Sequence, residues 1–257
     1  MKILVNGIFG HMGREVASLC ESGYRRAELA LGVDREGGAY GDAVVYGGFS
    51  EVPECEVDCI VDFSHHTAAP ELLAFARQRR IPTVVATTGH TEEEKALIEE
   101  ASLEIPVFYS ANMSLGVALL VELARSAAVA MPDAEIEIIE KHHNRKLDAP
   151  SGTALMIADA LIEARPGSYV NLGRECHGKR TPEEIGIHAI RMGNIVGEHE
   201  VIIGTNSQTI TLKHEAHSRA LFAEGAVAAA EFLVGCPKGL YDMKSLIKGA
   251  ASDAALV

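Results

Sequence analysis

Two stretches of the sequence gather residue types that do chemistry. The segment 140-EKHHNRKLDAPSGTA-154 sets two histidines, two lysines and an arginine between Glu140 and Asp148, then breaks into Pro-Ser-Gly-Thr ahead of an apolar run. Imidazole exchanges a proton near neutral pH, and a lysine ammonium holds a carboxylate or donates a proton to a developing amine. His142 and Lys146 stand four apart and are close whether the segment is helix or loop. The turn Asp148-Ala149-Pro150-Ser151-Gly152-Thr153 then opens a helix, where backbone N–H groups at Ser151, Gly152 and Thr153, two hydroxyls and the helix dipole form an anion seat. Together these features describe a site for an acidic substrate with proton transfer nearby. Spacing alone also allows a solvated basic turn with Ser151 as an ordinary N-cap.

The second stretch is Gly7-Ile8-Phe9-Gly10-His11-Met12-Gly13, directly after the β-prone run Lys2 to Asn6. Its glycines permit a tight turn and close approach of backbone to a pyrophosphate, whose charge is favoured at the N-terminus of the following helix. A second apolar run, Glu28 to Val33, ends at Asp34, placed to accept hydrogen bonds from an adenosine ribose; the adjacent Arg35 can pair with a 2′-phosphate. Having both suggests use of NADH and NADPH. Ala86-Thr87-Thr88-Gly89 and Ser110-Ala111-Asn112-Met113 end later strands on the same sheet edge, where a nicotinamide would lie.

The rest of the composition narrows the class. With 23 Lys+Arg against 36 Asp+Glu, the formal charge of −13 over 257 residues argues against nucleic acid or an anionic membrane as partner. The first residues reach a glycine too soon for a signal segment, and no apolar run approaches a membrane span, so the expectation is a cytoplasmic protein. Five scattered cysteines without C-x-x-C suit reduced thiols, and Trp is absent. The pairs His142-His143 and His65-His66 and the His214-x-x-His217 spacing lack the pattern of a metal site, so no metal is expected. Arg219 is a further possible carboxylate ligand.

The elements that position these residues alternate. Strand runs at 2–6, 28–33, 57–63, 82–86 and 105–108, with helical patterns near 14–21, 67–79 and 91–103, imply a Rossmann-type parallel sheet wrapped by helices. After a long apolar helix at 114–131 the texture changes: Glu135 to Ile139 alternates like a half-buried strand, 154–164 is helical, 165–184 reads as a long loop, and three strand runs follow at 185–191, 199–205 and 208–215. This is an α+β domain with a mainly antiparallel or mixed open sheet. A helix at 218–234 returns the chain to the first domain. The expected division is 1–113 with 220–257 as the dinucleotide-binding domain and 114–219 as the substrate-binding and oligomerisation domain.

Glu140-x-His142-His143-x-x-Lys146-x-Asp148-Ala149-Pro150-Ser151-Gly152-Thr153-Ala154 resembles the long signature of the dihydrodipicolinate reductase family. Gly7-x-x-Gly10-x-Met12-Gly13, Asp62-Phe63-Ser64, Thr87-Thr88-Gly89, the 111–117 stretch, Arg191-x-Gly193-x-Ile195-Val196-Gly197-Glu198-His199 and Gly239-Leu240-Tyr241-Asp242-Met243 extend the resemblance over nearly the whole chain. It implies reduction of 4-hydroxy-tetrahydrodipicolinate (dihydrodipicolinate) to tetrahydrodipicolinate in the diaminopimelate route to lysine. His142 would be proton donor and acceptor, Lys146 a second proton donor and substrate ligand, and His143, Ser151, Gly152 and Thr153 substrate contacts. The cofactor would contact Gly7, Ile8, Phe9, Gly10, His11, Met12, Asp34, Arg35, Ala86, Thr87, Thr88, Ser110, Ala111, Asn112 and Met113. A homotetramer assembled through the second domain's sheet is also implied. Three positions depart from the family's pattern: His11 where Lys or Arg is usual, Ala86 where Gly is common, and Met113 where an aromatic is common. The first weakens phosphate attraction, so NADH is expected to serve at least as well as NADPH.

Overall fold

A computed structural model describes residues 1–175 and 177–254, with 250–254 described by backbone alone; Cys176, one of the five cysteines, lies outside the described residues. In chain order the elements are β1 (Lys2–Asn6), α1 (His11–Glu21), β2 (Glu28–Val33), β3 (Gly38–Tyr40), β4 (Ala43–Tyr46), β5 (Cys59–Asp62), α2 (Ala69–Arg79), β6 (Thr83–Val85), α3 (Glu92–Ser102) and β7 (Pro106–Tyr109). There follow α4 (Leu115–Ala130), β8 (Glu135–His142), α5 (Gly152–Ala164), β9 (Tyr169–Leu172), β10 (Glu184–Arg191), β11 (Gly197–Gly204), β12 (Thr209–Ala216), α6 (Ala220–Val234), β13 (Gly239–Tyr241) and α7 (Met243–Ala254). They divide into two compact units: Met1–Leu115 together with the chain from Ala220, and Gly116–Arg219.

In the first unit an eight-stranded sheet runs β13-β7-β6-β5-β1-β2-β4-β3, parallel throughout except for the β3–β4 hairpin. Ile3, Leu4 and Val5 of β1 and Cys59, Ile60 and Val61 of β5 are fully buried, the continuous apolar run of strands covered on both faces. The chain leaves β1 toward β2 on one side and returns to β5 on the other. The turns after β1 and β5 therefore meet at a topological switch point, where sheets of this kind bind ligands. Local chemistry agrees with the elements: Thr91 Oγ1 accepts the Glu94 N–H and the Glu94 carboxylate accepts the Thr91 N–H, a capping box that starts α3.

The second unit has a five-stranded sheet, β12-β11-β8-β10-β9. β10 runs parallel to β8 and β9, whereas β11 runs antiparallel to β8 and β12, so the sheet is of the mixed kind. Ile136, Ile138, Ile185, Ile187, Val201 and Ile203 turn one face to Leu120, Ala124 and Ala128 of α4 and Ile157, Ala158 and Leu161 of α5. Arg165 closes this layer, donating to the carbonyls of Ala128 in the last turn of α4 and of Met131 and Ala134 just beyond it.

Three features depart from the sequence reading. The strand expected to stop at Ile139 continues to His142, because Glu140 takes the next inward position after Ile136 and Ile138 and is neutralised there by Arg191. The stretch 165–184 contains β9, a four-residue edge strand too short for alternation to reveal amid Gly and Pro. The β3–β4 hairpin, whose strands are only three and four residues long, and α7, whose Met243, Leu246 and Ile247 do carry a helical spacing, stand outside the sequence reading.

Candidate active site

The glycine turn after β1 is dictated by contact. Gly7 has φ +78°, and a Cβ there would stand 2.7 Å from the Phe63 carbonyl oxygen. A Cβ on Gly13 would stand 2.0 Å from the Gly7 carbonyl oxygen, so the first turn of α1 packs directly on the loop. Gly10 caps α1 without a side chain, and no acid occupies its first turn, which leaves the positive helix end to an external anion. Asp34 Oδ2 accepts the Phe9 N–H at 3.1 Å, tying the end of β2 to the same turn.

A cleft of about 770 Å³ opens here, lined by Gly7, Phe9, Gly10, Asp34 and Arg35 among the expected cofactor residues. Its size, its bare backbone turn, its helix end and its carboxylate fit a dinucleotide. Arg14, Glu36, the Gly47-Gly48 pair and Phe63 to His65 also line it and were not expected; the signal for the last of these was Asp62-Phe63-Ser64 at a strand end. Ile8, His11, Met12, Ala86, Thr87, Thr88 and Ser110 to Met113 do not line it. Ile8 is fully buried, packed against Gly32. The Met113 side chain is buried, and its backbone carbonyl oxygen lies 1.7 Å from where a Cβ on Gly225 would stand. Thr87 donates to the buried Asp62 carboxylate at 2.7 Å, which also accepts from Asn6 and Ser64. Burial raises the Asp62 pKa against these hydrogen bonds. Ser110 Oγ donates to the Asn112 carbonyl at 2.8 Å, and Asn112 Oδ1 accepts the Ser114 N–H at 2.9 Å, which shapes the turn after β7.

In the second unit the basic cluster is built on β8 and the start of α5. Strand pairing sets His199 of β11 opposite Glu140 and Arg191 of β10 opposite His142. Glu140 is fully buried and its carboxylate accepts from both terminal nitrogens of Arg191 at 2.7 and 2.6 Å, from the Ser151 N–H at 2.9 Å and from His142 Nδ1 at 2.6 Å. Ser151 caps α5 by accepting the Ala154 N–H at 3.2 Å, and its hydroxyl lies 3.0 Å from His199 Nε2. The ring centroids of His142 and His199 are 5.2 Å apart, edge to face. Lys146 Nζ pairs with the exposed Asp148 carboxylate at 2.8 Å. A Cβ on Gly152 would meet nothing within 4 Å, so the N-terminus of α5 has room beside it. The structure thus brings His142, Lys146, Ser151, Gly152 and Thr153 together around one turn, with His143 next to His142.

The electrostatics follow from burial and cations. Burial alone would raise the Glu140 pKa, but hydrogen bonds from Arg191, His142 and Ser151 outweigh it and hold the carboxylate ionised. Burial, with the His142 charge adding to it, pushes the His199 pKa down to about 4. Loss of solvent lowers His143 too, reinforced by Arg145, Arg219, His142 and Lys146, so Arg219 contributes positive charge at this end of the unit. The hydrogen bond from Lys146 is the largest cause lowering Asp148. Such a concentration of cations in a chain of charge −13 attracts and orients a small polyanion.

Glu140, Arg191 and His199 were visible as motif residues but not as site residues. An acid two positions before a histidine on a strand shares its face, and that was the available signal for Glu140. The partners on β10 and β11 depend on strand pairing that spacing does not reveal. Among the described residues no group of three or more His, Cys, Asp or Glu side chains is placed to hold a metal ion, and no helix is long and apolar enough to cross a membrane.

Comparison with known proteins accords with this geometry. Residues 1–113 match the family model for the N-terminus of dihydrodipicolinate reductase and residues 116–247 that for its C-terminus. The chain is 48% identical over 250 residues to 4-hydroxy-tetrahydrodipicolinate reductase of Caldanaerobacter subterraneus subsp. tengcongensis, covering 96% of this chain and 98% of that protein. It is 41% identical to the protein of the same name from Clostridium tetani, covering 96% and 97%. In fold it is similar to a dipicolinate-bound dihydrodipicolinate reductase from Paenisporosarcina sp. TG-14, with a TM-score of 0.79 at 24% identity over 94% of this chain and 97% of that one. A Rossmann-type unit with a bare glycine turn and a separate mixed-sheet unit bearing the full E-x-H-H-x-x-K-x-D-A-P-S-G-T-A signature are thus matched over nearly all of the chain, which belongs to the dihydrodipicolinate reductase family.

Proposed function

We propose how this oxidoreductase, which reduces 4-hydroxy-tetrahydrodipicolinate to tetrahydrodipicolinate with a pyridine nucleotide, divides its work among residues. Gly7 to Gly10, the N-terminus of α1 and Asp34 hold the dinucleotide, with Thr87, Thr88 and Ser110 to Asn112 acting at later strand ends. Bound there, the reduced nicotinamide supplies hydride. Lys146 exchanges Asp148 for one substrate carboxylate, while the Ser151 hydroxyl with Gly152 and Thr153 at the N-terminus of α5 takes the other, the Ser151 N–H expected in that seat being committed to Glu140. His143 and Arg219 add hydrogen bonding and charge. His142 delivers a proton to the carbon adjacent to the one reduced, and Lys146 stands as second donor. The observation that carries this reading is the Glu140–His142–Lys146 turn beside the open end of α5. An activity-free test is the affinity for pyridine-2,6-dicarboxylate: Lys146→Ala is expected to weaken it roughly 10- to 100-fold, the loss of one charged hydrogen bond. Unchanged affinity would remove Lys146 from the site.

For the nucleotide, we read dual use with NADH at least as good as NADPH. Arg35 favours a 2′-phosphate, but Glu36 lines the same cleft and opposes it, and His11 begins α1 where a fixed cation would strengthen phosphate attraction. NADPH winning by tenfold or more in kcat/KM would refute this. Assembly as a homotetramer through the second unit's sheet is supported by exposed Tyr169 and Ile190 on β9 and β10, whose register turns them to the face away from α4 and α5. The reduced thiols of buried Cys20 and Cys59 suit a cytoplasmic setting.

A further inference from the structure

We infer that Glu140, locked by Arg191, is a positioning residue for the reduction: it fixes His142 in the tautomer with hydrogen on Nδ1 and presents Nε2 for proton transfer, while Gly197 keeps the space around Nε2 open. The inference rests on the proton-transfer role proposed for His142.

An ionised carboxylate only accepts hydrogen bonds, so a nitrogen 2.6 Å from Glu140 Oε2 must carry the hydrogen. Glu140 cannot turn away from that duty. Its Oε1 is held by Arg191 at 2.6 Å and by the Ser151 N–H at 2.9 Å, and its Oε2 by Arg191 at 2.7 Å. Neutral His142 is thereby left with its lone pair on Nε2, and its imidazolium with a transferable proton there. On that side a Cβ built at Gly197 would stand 3.1 Å from Nε2 and 3.5 Å from Cδ2. Gly197 does not occupy the left-handed region, so its backbone would accept alanine, and it is the space beside the ring that excludes a side chain. The ring has little room to yield, being tethered at Nδ1 and flanked by His199 at 5.2 Å. Facing His142 are Arg191 from β10, His199 from β11 and His143 from the segment beyond β8, with the Lys146 charge acting on His199 and His143. Glu140 balances the nearest of these cations. Glu140→Gln leaves the Arg191 charge uncompensated beside the ring and replaces an acceptor-only partner of Nδ1 by an amide that can also donate, so the tautomer is no longer fixed.

Ring-nitrogen NMR of ¹⁵N-histidine-labelled protein tests the tautomer without turnover: neutral His142 is expected to show Nδ1–H. Kinetically, Glu140→Gln is expected to lower kcat roughly 100-fold, the scale of general acid–base catalysis, with KM for the dicarboxylate within about threefold. Gly197→Ala keeps the buried Glu140–Arg191 pair, so it remains informative if Glu140→Gln does not fold, and it should lower kcat about tenfold or more. An Nε2–H tautomer, or wild-type kinetics in both variants, would overturn the inference alone. A wild-type chain that oxidises no nucleotide with substrate present would overturn the reading beneath it.

Discussion

His199 makes the second unit's stability depend on pH between neutrality and about pH 4. Its ring is 4% exposed, its Nδ1 has no partner among the described residues, and its pKa is pushed down to about 4 from 6.5. A depressed pKa means that the unfolded chain binds the proton more readily, so the contribution is fully present above about pH 6.5 and is lost as pH falls toward 4. At pH 7 the unfolded imidazole is about one-quarter protonated; at pH 5 it is almost fully protonated while the folded one is about one-tenth protonated. The difference amounts to about 2 kcal/mol lost between pH 7 and pH 5. His90, His143 and His214 are shifted in the same direction, so the wild type alone does not isolate the effect. The comparison is with His199→Gln, which can still bond Ser151 but does not titrate. Urea unfolding followed by far-ultraviolet circular dichroism at both pH values should show the wild type losing about 2 kcal/mol more than the variant. Equal losses would refute the reasoning.

Two further substitutions probe the scaffold. Gly13→Ala puts a Cβ 2.0 Å from the Gly7 carbonyl oxygen, so the turn must move; NADH affinity should fall at least about tenfold in isothermal titration, with roughly 3 kcal/mol of stability lost. Arg165→Ala removes three hydrogen bonds to carbonyls at and just beyond the end of α4 and should cost about 2 kcal/mol in urea unfolding, with nucleotide affinity unchanged.

Much of this was legible in the sequence because the signals were local. Alternating apolar runs gave the two textures, and the glycine turn with Asp34 one strand later located the dinucleotide cleft. His142, Lys146 and Ser151 read as a unit because the turn that joins them spans few residues. What stayed hidden was set by strand pairing. Glu140 lies two residues from His142, yet its role appears only when β10 delivers Arg191 and β11 delivers His199. Gly197 likewise carries no chemistry until its empty side faces the imidazole. The side chains of Ile8 and Met113 show the converse, residues in motif positions whose burial gives them to the core.

The most direct test of the account follows loss of reduced-nicotinamide absorbance with substrate freshly generated by the preceding synthase, in wild type, His142→Gln and Lys146→Ala. Substrate-dependent oxidation by the wild type, falling roughly 100-fold or more in both variants while each still binds NADH, is the predicted result. A folded, nucleotide-binding wild type that oxidises neither NADH nor NADPH, or variants that turn over as it does, would contradict the account.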